Sequence, residues 1–76
     1  MIREHDCIVL TTDLPRSHLV SGDVGTVIHI HANGAGYEVE FATLTGETVA
    51  VVTVLPSQCR PIGHRDISHV RELQAA

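Results

Sequence analysis

Seventy-six residues, 43% of them hydrophobic, are enough for one domain, and that composition excludes a disordered chain. With one Tyr, one Phe and no Trp, a core has to be built from Val, Ile and Leu, and little aromatic surface remains for stacking on bases or sugars. Five Arg and no Lys against nine Asp and Glu leave a net charge of −4, which repels polyphosphate instead of gathering it.

In chain order, DCIVLTTDL predicts a first strand over about residues 6–12, with Cys7, Val9 and Thr11 on one face and Ile8 and Leu10 on the other. The following DLPRSHLVSGD is a turn region: Pro15 fixes its own φ and biases Leu14 away from helix, and Ser21-Gly22-Asp23 supplies a tight turn. Leu14, Leu19 and Val20 inside that loop predict that it folds back onto the core. VGTVIHIH is the second strand. Gly25 within it calls for a bend, a bulge or a close backbone approach, and the adjacent pair Val27 and Ile28 supports a bend because strict alternation cannot bury both.

ANGAG is a hairpin loop in which Asn33-Gly34 is the strongest turn signal of the chain. YEVEF then alternates cleanly, Tyr37, Val39 and Phe41 inward and Glu38 and Glu40 outward. A turn around Gly46 leads to TVAVVTVL, a fourth strand apolar on both faces, with Val49 and Val51 on one side and Val52 and Val54 on the other. Either this strand bends or its outer face meets another subunit, which marks Val52 and Val54 as interface candidates. PSQC reads as a single helical turn and RPI as a short closing strand, with Pro61 at a sheet edge. Beyond Gly63, Ile67, Val70 and Leu73 recur every three residues behind Asp66, which predicts a short amphipathic helix over 63–76 whose apolar stripe needs a surface to lie on.

The expectation is therefore an all-β chain: a five-stranded SH3-like barrel over 1–62 and a helical tail over 63–76. The N-terminal IREHDC has no apolar leader core, and the longest apolar run, VAVVTVL, is far shorter than a membrane span. Two cysteines without a leader suit a cytoplasmic chain with reduced thiols, although pairing of the terminal strands would allow Cys7 and Cys59 to approach.

No constellation reaches a catalytic signature. Cys7 with His5 and Ser17 with His18 are sequence neighbours without an orienting acid. His29 and His31 share a strand face, yet zinc would want two further ligands that no spacing supplies, with His5, Asp6 and Glu40 the nearest candidates. No cofactor or metal is expected. Protonating all six histidines would carry the formal charge from −4 to +2, so acidification below about pH 6 changes the molecule electrostatically.

The pattern LP-x-x-x-L, G-D-x-G-T-V, Y-E-V-E-F, V-V-T and R-P resembles a family of small bacterial proteins classed only as a domain of unknown function. Leu14, Pro15, Leu19, Gly22, Asp23, Gly25, Thr26, Val27, Tyr37, Glu38, Val39, Phe41, Gly46, Arg60 and Pro61 carry the resemblance, which spans about residues 5–62 and omits the tail. It implies an SH3-like barrel and no established activity. More distantly, GDVGTVIHI is similar to the turn-and-strand element of KOW motifs, which implies a nucleic-acid-binding alternative resting on Arg3, Arg16 or Arg60. The leading expectation is a non-catalytic interaction module, paired with itself or with a protein partner, such as an antitoxin, immunity or regulatory protein. Its interface candidates are Val52, Val54, Ile67, Val70 and Leu73.

Overall fold

In a computed structural model that describes residues 1–74, the chain forms one five-stranded antiparallel sheet. The strands are β1 (Cys7–Leu10), β2 (Val24–His31), β3 (Gly36–Ala42), β4 (Thr48–Val54) and β5 (Cys59–Pro61), in the order β4-β3-β2-β1-β5. Every expected strand is present, and β5 with its Pro61 lies at an edge, where a missing N–H costs least. The expected closure is absent: β4 and β5 are the two edges and do not pair with each other.

The core is aliphatic, as the composition requires. Ile8, Leu10, Leu19, Val27, Val39, Phe41, Val54, Tyr37 and Cys59 form one buried cluster, with Leu14, Ile30, Val49, Ala50 and Val52 packed partly against it. Leu14 and Leu19 bridge each other across the 3-10 turn Pro15–Ser17, which folds the first loop inward. Val20 does not follow them and stays exposed. The second 3-10 turn, Pro56–Gln58, occupies the place expected for a helical turn and leads directly into β5.

Two bulges decide which residues reach the core. Between Val27↔Val39 and His29↔Glu38, β2 carries one extra residue, Ile28. Without it Val27, His29 and His31 would share a face. The bulge reverses the parity, so Val27 and Ile30 point inward while Ile28, His29 and His31 turn to the outer face. In β4 the shift falls between Phe41↔Ala50 and Ala42↔Thr48, and it brings Val49 to the inner side beside Ala50. The expected grouping of Val49 with Val51, and of Val52 and Val54 as the opposite pair, is therefore corrected. Val49, Ala50, Val52 and Val54 face inward, and Val51 faces out.

Gly25 serves a close approach. A Cβ placed there would stand 2.5 Å from Val39 Cγ1 and 2.8 Å from the Phe41 ring. Gly22 and Gly46 instead supply positive φ in turns, at +96° and +95°. The β2–β3 hairpin reverses through Asn33 and Gly34, both at positive φ.

The expected C-terminal helix does not form. Residues 67–74 carry no regular structure, and Ala75 and Ala76, the end of that expected helix, lie outside the described residues. Two forked ion pairs hold the tail instead. Arg60 Nη1 and Nη2 donate to Asp66 at 2.8 and 2.9 Å, and Arg71 Nε and Nη2 donate to Asp23 at 2.8 and 2.6 Å. The tail thus returns from β5 to the turn ahead of β2 and to the first loop, where Arg71 Nη2 also donates to the His18 carbonyl at 3.4 Å. On the outer face Val9 lies between Val24 and Arg60; it is outside the core cluster yet only 8% exposed. A three-turn helix with no platform beneath its stripe is marginal, and two charge-assisted forks outweigh its propensity.

The cysteines remain free. Although β1 and β5 pair, Cys59 lies opposite Leu10 on the core side and Cys7 lies opposite Thr26 on the outer face. The two thiols therefore sit on opposite faces of the sheet and cannot form a disulfide without moving backbone.

Candidate functional site

The feature that asks for a partner is the outer edge of β4. The strand is seven residues long and contains no charge and no proline, so it lacks the side chains by which edge strands commonly block further pairing; its one irregularity is the bulge at Val49. Among the described residues its backbone bonds to β3 only. Ala50 and Val52 face the core and yet remain half-buried, because no strand among the described residues pairs with this edge. On the outer face Val51 is 51% exposed.

Alongside the edge lies an open cleft whose far wall is the first loop. One stretch lies between Val52 and Thr53 on the strand and Leu14, Pro15 and Arg16 on the loop. The other lies between Val49, Leu19 and the tail residues Arg71 and Leu73. Asp13 borders both stretches. The loop wall is fixed locally: Asp13 Oδ1 accepts from the Ser21 amide at 2.8 Å, and Leu14 and Leu19 exchange backbone hydrogen bonds across the 3-10 turn.

Two carboxylates on β3 lean towards the same edge. Thr53 Oγ1 donates to Glu38 Oε1 at 2.9 Å, and Thr48 Oγ1 donates to Glu40 Oε2 at 2.6 Å. Neither glutamate is paired with an arginine among the described residues. The outer face therefore presents an acidic row one strand in from an uncharged edge.

Of the interface candidates named from the sequence, Val52 lines the cleft and Leu73 closes one end of it. Val54 is corrected: it is fully buried in the core and cannot meet a partner. Ile67 and Val70 are 92% and 69% exposed on the tail, away from the cleft lining.

Asp23 has a second role that the sequence did not show. Its Oδ2 accepts from the Val20 amide at 2.9 Å within the turn, and the same carboxylate receives the Arg71 fork. Partial burial pushes its pKa up, but the Arg71 hydrogen bonds and charge together with the Val20 amide pull it below the usual carboxylate value. Asp66 is held well below that value, chiefly by the Arg60 hydrogen bonds and also by the Gly63 amide. Pairing holds Arg60 and Arg71 above their ordinary value in turn. Arg60, one of three arginines named for nucleic acid, is thus engaged within the chain. Arg3 is on the N-terminal segment and Arg16 on the first loop.

His29 and His31 do share the outer face, with ring centroids 4.7 Å apart in an edge-on arrangement. Their neighbours are not the residues the sequence suggested. His29 Nδ1 lies 3.6 Å from Glu4 and His31 Nε2 lies 3.6 Å from Glu38. Among the described residues no group of three or more His, Cys, Asp or Glu side chains is arranged to hold a metal, and no helix is long and apolar enough to cross a membrane.

Comparison with known proteins returns a single kind of match. No curated protein and no solved structure is similar to the chain. Residues 4–61, from just before β1 through the end of β5, match the family described as Domain of unknown function (DUF4926). The match takes in every strand and stops short of the tail, so the chain belongs to the DUF4926 family.

Proposed function

We propose that this chain is a non-catalytic docking module that pairs, through the open edge of β4, with a second copy or with another protein. The strand order β4-β3-β2-β1-β5, with a helical turn ahead of β5, supports reading the sheet as SH3-like with one side left open. The single observation that carries the function is an uncharged seven-residue edge strand beside an open cleft. Such an edge offers a row of backbone donors and acceptors to an incoming strand, and a natural chain that keeps it bare has a use for it or covers it. A regulatory, immunity or antitoxin protein that works by stoichiometric binding fits this chemistry.

The test compares the wild-type chain with Val51→Lys, which adds a charge to the edge at an outward position and leaves the core alone. Both are used as bait in extracts of the native host, and both are sized by light scattering. A protein or second copy held by the wild type and lost by Val51→Lys, at unchanged melting temperature, is the expected result. Identical captures and identical monomer masses would end this reading.

A further inference from the structure

Resting on that docking reading, we propose what the edge accepts: an extended segment of a partner protein in which aliphatic residues alternate with Lys or Arg, added to β4 as a sixth strand. An added strand has period two, so its side chains divide between the two faces of the sheet. Those on the inner side would enter the cleft against Val52, Leu14 and Pro15, where a half-buried valine and an aliphatic loop wall favour aliphatic partners. Those on the outer side would stand next to Val51 and Thr53. Glu38 and Glu40 are one strand further in, their backbone about 10 Å away at the usual strand spacing, a gap that a Lys or Arg reaching inward and a glutamate leaning towards β4 close between them.

Both carboxylates are already inclined towards β4 by the Thr53 and Thr48 hydroxyls, and neither has an arginine of its own among the described residues. A basic residue on the incoming strand would give each a charge partner across Val51 and Thr53. The same row argues against a second copy as occupant. Pairing β4 with itself would set an uncharged strand against an uncharged strand and leave Glu38 and Glu40 of both molecules without a basic partner, in a chain of net charge −4 that has no lysine.

The experiment titrates the full chain with three short peptides that alternate Val with Lys, Val with Ser, or Val with Glu. Each is N-methylated along one backbone edge so that it can pair on one side only. Affinity is read by fluorescence anisotropy, and hydrogen exchange of the β4 amides is followed in parallel. The Val/Lys peptide is expected to protect β4 and to bind about ten-fold tighter than Val/Ser. That advantage should shrink in the Glu38→Gln/Glu40→Gln variant and in high salt. Equal binding of Val/Lys and Val/Ser overturns the charge assignment while leaving the docking reading standing. Protection of β4 by the chain's own dimerisation, without peptide, overturns it in favour of a second copy. If no peptide protects β4 and the chain stays monomeric, both the assignment and the docking reading fall.

Discussion

Substituting Gly25 by Ala isolates one physical effect, because its φ lies outside the left-handed region and the backbone itself would accept a side chain. The obstacle is space. The new Cβ would stand 2.5 Å from Val39 Cγ1 and 2.8 and 2.9 Å from two atoms of the Phe41 ring, and both neighbours are essentially fully buried. Neither can swing aside, since a β-branched valine and a core phenyl ring have few rotamers to move into. Overpacking of this kind costs about 1–3 kcal/mol. The alanine returns roughly 0.4–1 kcal/mol by restricting the unfolded chain. The central values of the two ranges leave a net loss of about 1 kcal/mol, out of a total on the order of 4–11 kcal/mol for a domain this size.

Urea unfolding followed by circular dichroism should show it as a lower midpoint, and the melting temperature should fall by about 4–8 °C for each kcal/mol lost. The cause is checked in a double-mutant cycle: in a Val39→Ala background, which removes the clashing methyl, the cost of Gly25→Ala should drop by about 1 kcal/mol. An alanine variant as stable as the wild type, or a cost indifferent to Val39→Ala, would refute the close-approach argument. At Gly22, where nothing lies within 4 Å but φ is +96°, alanine should destabilise through the backbone alone and show no such coupling.

Acidification should release the tail. Asp23 and Asp66 both have folded-state pKa values below their unfolded ones, so the stability they add is complete above the ordinary carboxylate range and is lost as pH falls through their depressed values. Backbone mobility at residues 67–71, read by NMR relaxation, should therefore rise below about pH 4, and Arg71→Ala should produce the same release at neutral pH. Because the fork is partly exposed, Arg71→Ala should cost the fold no more than about 1 kcal/mol by urea unfolding. Leu10→Ala, which empties a fully buried core position, should cost about 2–5 kcal/mol and leave a marginal fold by circular dichroism. A thiol reagent should modify exposed Cys7 readily and Cys59 slowly, since burial covers Cys59 and raises its pKa. Equal rates for the two thiols in the folded state would contradict that placement.

The sequence by itself determined the five strands, the turns at Gly22, Asn33-Gly34 and Gly46, the inward set of β3 and an aliphatic core, because each rests on period, turn chemistry or composition within a few residues. Parity in β2 and β4 was left to the tertiary structure. Adjacent apolar pairs such as Val27 and Ile28 announce an irregularity, but only the register against β3 decides which member is buried. The tail shows the same division more sharply. Ile67, Val70 and Leu73 keep helical spacing, and Asp23 and Arg71 look like unrelated surface residues. Yet the fork joins those two, 48 positions apart, and ties the segment to the turn ahead of β2. Local propensity is worth tenths of a kcal/mol per residue, so a fold that brings distant opposite charges into contact readily overrides it.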